Sequence, residues 1–513
     1  MQIKVIEGNK QYEISARDTQ TVLEVLREQK ITSVAAPCNG QGKCKKCLVN
    51  INGEERLACT TKVAEGMVVR LSEQQNAKIS ENGEGYIYPP DGVEGYAVAC
   101  DIGTTTIVCH LLNMRTGERI GTVSKKNAQG VYGADVVSRI QAASSGRLCE
   151  LQKLVVRQLE QMIIQLCQKA KVFLPIIYMS VAGNTVMCHL LVGLSPEKIG
   201  VAPFAPDELF GKEYSGAELG IRICKNIYLF PCAAGYVGGD VTADLLATMK
   251  GHEDEETLLL DIGTNGEMVL GTEQGYVCCA AAAGPAFEGA EIVMGMPATQ
   301  KAISHVKLEQ NKIKVEIIDG EQEAEGICGS GLLDAVAVFL QSGLMDETGM
   351  LLEADEVPEE FRGYTGFYKG ENCVWLTGKI CVTQTDIRNI QLAKAAIAAG
   401  IQILLNEKKI KYKDVKRLIL AGGFGTYLNK ESAARIGLIP RELLSVTQAV
   451  GNAAGEGAIS AAISKEAREQ AKKIQEHMHY IELSMHPKFS DAYMDLMLSL
   501  IHISEPTRLA LIS

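Results

Sequence analysis

Apolar and polar residues alternate with period two through QIKVIEGNKQYEIS, on either side of a Gly-Asn pair, and predict an N-terminal hairpin. In TVLEVLREQK the spacing becomes helical. Alternation returns in LVNINGEERLAC, where Leu48–Ile51 reads as a strand, Asn52-Gly53 as a tight turn and Glu55–Cys59 as the returning strand. MVVRLSE adds another strand, so residues 1–73 predict a small domain of strands, one helix and a loop. After Ser72 the period is lost. EQQNAKISENGEGYIYPPDGVEGY is polar and rich in Gly and Pro, which marks residues 74–95 as a linker. Beyond it, apolar strands alternate with amphipathic helices, the pattern of an α/β fold.

A single device occurs twice within this α/β region. YAVACDIGTTTIVCHLLN predicts a strand, the turn Asp101-Ile102-Gly103-Thr104-Thr105, and a second strand. TLLLDIGTNGEMVLG repeats it with Asp261-Ile262-Gly263-Thr264-Asn265. A glycine turn between antiparallel strands presents N–H groups and hydroxyls to an anion. The carboxylate closing the first strand is suited to hold Mg²⁺ through water. A third glycine site, RLILAGGFGTYLN, follows, and there Gly422 and Gly423 leave room for a flat base or its ribose. Either loop alone is equally a plain hairpin turn; two copies followed by strand-Gly-Gly, in order, point to a nucleotide. No G-x-G-x-x-G opens a helix after the first strand, so the pattern is not a dinucleotide fold.

Weaker candidates accompany these loops. Glu267, just past the second loop, is a water-orienting group or a solvated strand residue. Gly284, in AAAAGPAFEGAEI (280–292), and Gly329 and Gly331, in GICGSGLLDAVAVFL, look like turns that start helices near phosphate or pack tightly between lobes. Asn184 sits in a turn of SVAGNTVMCHLL, with His189 on the apolar helix after it as a core residue. Asp240 either completes a Mg²⁺ shell or caps a helix.

Composition narrows the chemistry. The chain has 513 residues and a net charge of −11, which argues against a nucleic-acid partner. No apolar run reaches transmembrane length, and the N-terminus lacks a signal-peptide core. Sixteen cysteines in such a chain read as reduced thiols and metal ligands, and the expected location is the cytoplasm. Three of them, Cys38, Cys44 and Cys47, share the loop APCNGQGKCKKC, and the predicted hairpin folds Cys59 back beside Cys47. Structural zinc presents two short C-x₂₋₄-C hooks, and only Cys44–Cys47 is one. A wrapping loop, a C-x₂-C step and a distant fourth cysteine fit a [2Fe–2S] cluster better, with zinc and a plain thiol-rich loop as the alternatives. Gly40 and Gly42 let amides approach the sulfides, and Lys43, Lys45 and Lys46 offset cluster charge.

These features carry two resemblances. Residues 1–73 resemble the β-grasp fold of [2Fe–2S] ferredoxins. The two D-x-G-T loops and the later Gly-Gly resemble the acetate and sugar kinase, heat-shock chaperone and actin (ASKHA) superfamily, a duplicated α/β fold that implies ATP with Mg²⁺. The implied lobes are 96–250, with the first phosphate loop, and 251–490, with the second loop and the adenosine site. Together with NAQGVYGADVVSRI, VAGNTVM, DIGTNGEM, GICGSGLLD, TQTDIRNIQLAKAAI and AGGFGTYLN, the combination resembles the reductive activators of corrinoid proteins. Some relatives carry an extra domain after the linker, and another branch carries C-terminal [4Fe–4S] clusters; this chain has no cysteine after Cys381.

The resemblance implies an ATP-dependent one-electron transfer from the cluster to an inactive Co(II) corrinoid of a methyltransferase system, restoring Co(I). It implies a corrinoid-protein partner and an external low-potential electron donor, with neither nucleic acid nor membrane involved, and leaves room for a homodimer. Asp101 and Asp261 would position Mg²⁺, Gly103–Thr105 and Gly263–Asn265 would cradle phosphates, and Gly422–Gly423 would seat adenosine. Two other classes compete: a small-molecule kinase whose ferredoxin domain senses redox state, and a non-catalytic ATP-dependent clamp. The end, LSLIHISEPTR, resembles a translated sequencing adapter, so residues 498–513 are expected to be non-native.

Overall fold

A computed structural model of the chain describes residues 1–7, 10–29, 31, 34, 36, 40, 42, 47–71, 83–173, 175–263, 265–289, 291–320 and 323–497. Cys38, Cys44, Thr264, the cysteine-loop lysines, residues 74–82 of the expected linker and the expected adapter tail lie outside the described residues.

The N-terminal sheet forms as the alternation predicts. Gln2–Glu7 (β1), Lys10–Ser15 (β2), Leu48–Ile51 (β3), Glu54–Leu57 (β4) and Val68–Leu71 (β5) assemble in the order β2-β1-β5-β3-β4, with β1 and β5 parallel. Val22–Glu28 (α1) begins at a capping box: the Thr21 side chain accepts from Glu24 N, and Thr21 N donates to the Glu24 carboxylate at 2.7 Å. Val22, Leu23, Val25 and Leu26 bury one face of this helix against Val5, Val49 and Val69. This is the β-grasp arrangement. One detail differs from expectation: β4 ends at Leu57, so Cys59 stands in a turn. Thr60 N and Thr61 N both donate to the Leu57 carbonyl, at 3.2 and 3.1 Å, and this closes the turn before the strand can continue.

The first lobe is a six-stranded sheet, Tyr96–Ile102 (β6), Thr106–Asn113 (β7), Arg119–Lys126 (β8), Ile176–Gly183 (β9), Lys212–Ser215 (β10) and Cys224–Leu229 (β11), in the order β10-β11-β9-β6-β7-β8. β6 to β8 form an antiparallel meander, and β9 and β11 run parallel to β6. Val136–Ala142 (α2), Leu148–Ala170 (α3), Thr185–Val192 (α4) and Gly216–Leu219 (α5) connect them, and Gly239–Thr248 (α6) follows β11.

The second lobe repeats this plan. Thr257–Ile262 (β12), Gly266–Thr272 (β13) and Gly275–Ala281 (β14) form the meander. Ala302–Glu309 (β15), Lys312–Ile317 (β16), Gly326–Ile327 (β17), Gly329–Ser342 (α7), Thr365–Tyr368 (β18), Glu371–Trp375 (β19), Cys381–Thr383 (β20) and Gln384–Lys408 (α8) are inserted next. Arg417–Ala421 (β21) and Thr447–Gly451 (β22) then run parallel to β12, with Gly422–Tyr427 (α9) and Lys430–Arg435 (α10) between them. Met478–Tyr480 (β23) completes the order β22-β21-β12-β13-β14-β23. Among the described residues no helix is long and apolar enough to cross a membrane.

The chain forms two compact units. The first holds the N-terminal domain, Tyr86–Leu246 and Ala454–Gln475; the second holds Ala247–Ala453 and the segment from Glu476. Ala453–Ile463 (α11) and Lys465–Glu476 (α12) therefore lie almost wholly with the first lobe, whereas a division at 250/251 assigns them to the second. The packing explains it. Ser180 Oγ on β9 donates to the Ala458 carbonyl, and a Cβ on Gly457 would stand 2.2 Å from the Ala243 carbonyl oxygen. Arg119 Nη2 reaches the buried Glu456 carboxylate, 2.7 Å from Oε1. Removing one partner of such a buried pair strands the other charge at a cost of about 3 kcal/mol. Glu456→Ala is expected to lower the first-lobe melting transition in calorimetry by several degrees; an unchanged thermogram would show that the pair does not anchor α11.

Candidate functional site

Each of the two units carries a share of the predicted chemistry. In the N-terminal domain the β3–β4 register brings Cys47 and Cys59 to the same end of the hairpin. Leu48 pairs with Leu57, and Ala58 N donates to the Cys47 carbonyl at 2.8 Å. Both cysteines are buried and neither is in a disulfide. α1 is tied to the same turn, because Leu23 N donates to the Ala58 carbonyl at 2.9 Å. The glycines of the cysteine loop close on it. Gly40 has φ +83°, and a Cβ there would lie 3.3 Å from Leu23 Cδ2 and 3.8 Å from Cys59 Cβ. Gly42 has φ +74° and would place a Cβ 3.2 Å from Thr60 Cγ2. Cys38 and Cys44 lie outside the described residues, but their loop returns to Cys59 at Gly40. The positions present fit a thiolate-held cluster beside a close-packed glycine loop.

In the first lobe Asp101 is the penultimate residue of β6, opposite Val108 on β7 and Ala182 on β9. A Cβ on Gly103 would stand 2.7 Å from the Thr106 carbonyl oxygen, so the turn is tight enough to require glycine. Three buried or half-buried side chains brace it. Asn127 Nδ2 donates to Gly103 O at 2.9 Å while Asn127 N donates to Thr105 O at 2.8 Å. Arg139 donates from Nη2 to Thr104 O and from Nε to Gly133 O, the latter at 2.9 Å. Asn184, the N-cap of α4, accepts from Met187 N at 3.0 Å and donates from Nδ2 to Thr104 Oγ1 at 2.9 Å. Asn184 therefore belongs to this loop. Asp240 opens α6 nearby: a Cβ on Gly238 would meet both Asn184 Cα, at 2.4 Å, and Asp240 Oδ1, at 2.6 Å. His189 is a core residue, its Nδ1 2.8 Å from the Thr185 carbonyl and its pKa lowered by burial.

In the second lobe Asp261 is again penultimate on its strand and pairs across β13 with Glu267. Two carboxylates directly opposite on one sheet face repel, and a divalent cation would stabilise them. Gly263 N donates to Asn265 O at 2.8 Å, which closes the loop; Thr264 lies outside the described residues. The parallel neighbour β21 ends at Ala421, opposite Asp261, and Gly422 follows at φ +82°. A Cβ there would come within 2.2 Å of Asp261 Oδ1. Among the described residues outside its own helix, nothing stands within 4 Å of where a Cβ on Gly423 would be. Two expectations change here. Gly284 starts no regular helix, since only the single turn Pro285–Glu288 forms before Gly289 turns away at φ +74°. Gly329 and Gly331 are packing glycines of the second unit: Cβ atoms would fall 1.7 Å from Phe287 O and 2.3 Å from Ile303 O.

Comparison with known proteins matches this geometry along the chain. Residues 9–74 match the 2Fe-2S iron-sulfur cluster binding domain family, residues 96–251 the RACo middle region, and residues 255–505 the C-terminal domain of RACo, the ASKHA domain. The corrinoid activation enzyme RamQ of Eubacterium limosum is 31% identical over 577 aligned positions, covering 92% of this chain and 96% of that protein. The chain belongs to the RACo family. A methylated amine-specific Co(II) corrinoid protein reductase of Methanosarcina barkeri is 26% identical over 69% of this chain and 67% of its own length. A solved reductive activator for corrinoid, iron-sulfur protein superposes with a TM-score of 0.70 at 28% identity, covering 97% of this chain and 98% of that one. In this RACo-family chain, the roles of Asn127 and Arg139 escaped sequence reasoning although both lie within NAQGVYGADVVSRI. The usable signal was an Asn at an N-cap position and an Arg on an otherwise buried helix face.

Gly422→Ala is expected to displace the Asp261 carboxylate and weaken Mg-ATP binding at least tenfold by calorimetry, with the cluster spectrum intact; undiminished affinity would refute the assignment. Burial pushes the Asp240 carboxyl up to about 6. Its folded pKa lies above its unfolded value, so the stability from holding its proton is complete at low pH and is lost as pH rises through about 6. Asp240→Asn should stabilise the first lobe by up to about 3 kcal/mol at about pH 8. The gain should shrink toward zero near pH 4, and a pH-independent gain would reject this reading.

Proposed function

We propose that the chain is an ATP-dependent reductive activator of a corrinoid protein. The observation that carries this reading is the placement, in one chain, of Cys47 and Cys59 at a closed cysteine turn and of two penultimate-strand aspartates at duplicated glycine loops. The relatives named above are a corrinoid activation enzyme, a Co(II) corrinoid protein reductase and a reductive activator for a corrinoid, iron-sulfur protein, which supplies the substrate class. Cys38, Cys44, Cys47 and Cys59 would hold the [2Fe–2S] cluster, which would supply a one-electron donor.

The chain's own residues set the conditions. Asp101 and Asp261 would hold Mg²⁺ through water, and Glu267, paired across the strand with Asp261, would orient a water molecule. Gly103–Thr105 and Gly263–Asn265 present backbone donors to phosphate, and the braces from Asn127, Arg139 and Asn184 hold the first of these loops in place before nucleotide arrives. Gly423, with open space beside it, together with Gly422 admits adenosine. Nucleotide is needed because each 59 mV of unfavourable potential costs a factor of ten in a one-electron step. Plant-type clusters lie near about −400 mV, and the Co(II)/Co(I) couple is expected below that. ATP helps only by binding two conformations unequally. An external low-potential donor recharges the cluster, and a homodimer is compatible with this scheme.

Mixing the reduced protein anaerobically with a Co(II) corrinoid protein should produce the Co(I) absorption band only when Mg-ATP is present. Asp101→Ala should abolish that band and leave the cluster spectrum unchanged. Co(I) formation without nucleotide, or phosphorylation of an added metabolite instead, would overturn the assignment.

A further inference from the structure

Arg27 stands in the last turn of α1, in the domain of Cys47 and Cys59, yet its guanidinium reaches into the first lobe. Its Nη2 donates to the Val131 carbonyl, and its Cζ lies 4.9 Å from the centroid of the Tyr132 ring. On the other side, a Cβ on Gly40 would stand 3.9 Å from Arg27 Nη1 and 3.8 Å from Cys59 Cβ. One cationic group therefore contacts the segment Val131–Tyr132 and stands beside the cysteine loop at Gly40. All of these residues lie in the first compact unit.

That segment leads to the first phosphate loop. Asn127 caps the turn Ala128–Val131 and holds Gly103 and Thr105. Arg139 joins Gly133, the residue after Tyr132, to the Thr104 carbonyl. There is little slack: Asn127, Gln129 and Arg139 are buried, and a Cβ on Gly133 would lie 2.4 Å from Ser138 Cβ. A shift of the Thr104 peptide on binding phosphate would be carried by Arg139 and Asn127 into residues 127–133, and from there to the guanidinium near Gly40.

We propose that Arg27 is a positioning residue that links occupancy of the first phosphate loop to the surroundings of the cluster, so that nucleotide affinity and electron affinity depend on each other. The proposal rests on the reading above that this chain holds both cluster and nucleotide, and is independent of the corrinoid partner. Such coupling is reciprocal: the factor by which reduction changes nucleotide affinity is the factor by which nucleotide changes the reduction equilibrium.

The test uses the full chain with its cluster, oxidised or reduced with dithionite, titrated anaerobically with Mg²⁺ and the non-hydrolysable analogue AMPPNP. The Kd should differ at least about fivefold between the two redox states. The midpoint potential, followed by electron paramagnetic resonance, should move by the matching amount, with tenfold corresponding to 59 mV. In Arg27→Met the ratio should fall to one and the potential should no longer respond to nucleotide. Tyr132→Phe, which keeps the ring, should retain the coupling; Tyr132→Leu should reduce it, and Arg27→Lys should restore some of it. If Arg27→Met fails to hold the cluster, Tyr132→Leu against Tyr132→Phe decides. Equal affinities in both redox states of the parent protein, or undiminished coupling in Arg27→Met and Tyr132→Leu, overturns the proposal. Redox-dependent affinity without ATP-driven Co(I) formation would sink the function proposed above and leave this inference standing; the opposite pattern would do the reverse.

Discussion

A glycine on the parallel neighbour lets each carboxylate-bearing strand end where it does. In the first lobe β9 closes on β6 with Gly183 against Ile102, where a Cβ would stand 2.9 Å from the carbonyl oxygen. In the second, Gly422 follows β21 and comes closer still, onto the Asp261 carboxylate. At these two points a side chain on the glycine would collide with the neighbouring strand. The consequence is structural and chemical together. The start of α9 at Gly422 and the placement of the Asp261 carboxylate both depend on that close approach.

The two lobes share topology but not chemistry. Across β7 from Asp101 stands Val108, whereas across β13 from Asp261 stands Glu267. After Gly183 comes Asn184, which donates to Thr104; after Gly422 comes Gly423, with open space beside it. The second lobe therefore carries the paired acids and the room for a planar group. The first lobe carries a loop held by side chains from three separate elements. A duplicated fold has been divided between a charged half and a braced half.

The sequence announced what is local. Period-two runs, the Asn52-Gly53 turn and the Asp101–Thr105 turn are written within a few residues, and each forms as read; the strands flanking the second Asp-x-Gly-Thr turn pair as expected. Cys59 departs by standing in a turn, because a doubly accepting Leu57 carbonyl competes with the ladder, which alternation does not encode. The equivalence of SVAGN with LILAGG stayed hidden because the interval from Asp261 to Gly422 is about twice that from Asp101 to Gly183, lengthened by the inserted β15–α8 segment. The return of α11 to the first lobe was equally invisible, since helical periodicity marks an apolar face without naming its partner. Of the four cysteines expected to hold a cluster, Cys47 and Cys59 stand at the same end of the β3–β4 hairpin, while Cys38 and Cys44 lie outside the described residues.

The size of the Arg27 contact is informative in itself. A guanidinium over an aromatic ring contributes about 0.5–2 kcal/mol, and a hydrogen bond from a charged donor about 1.5–3 kcal/mol. Energetic coupling between ligand sites typically amounts to about 1–3 kcal/mol. One cationic side chain, set between the Val131 carbonyl, the Tyr132 ring and the Gly40 backbone, is of the magnitude that nucleotide binding can oppose or reinforce. A contact of that strength is what a reversible connection between an electron carrier and a phosphate loop requires.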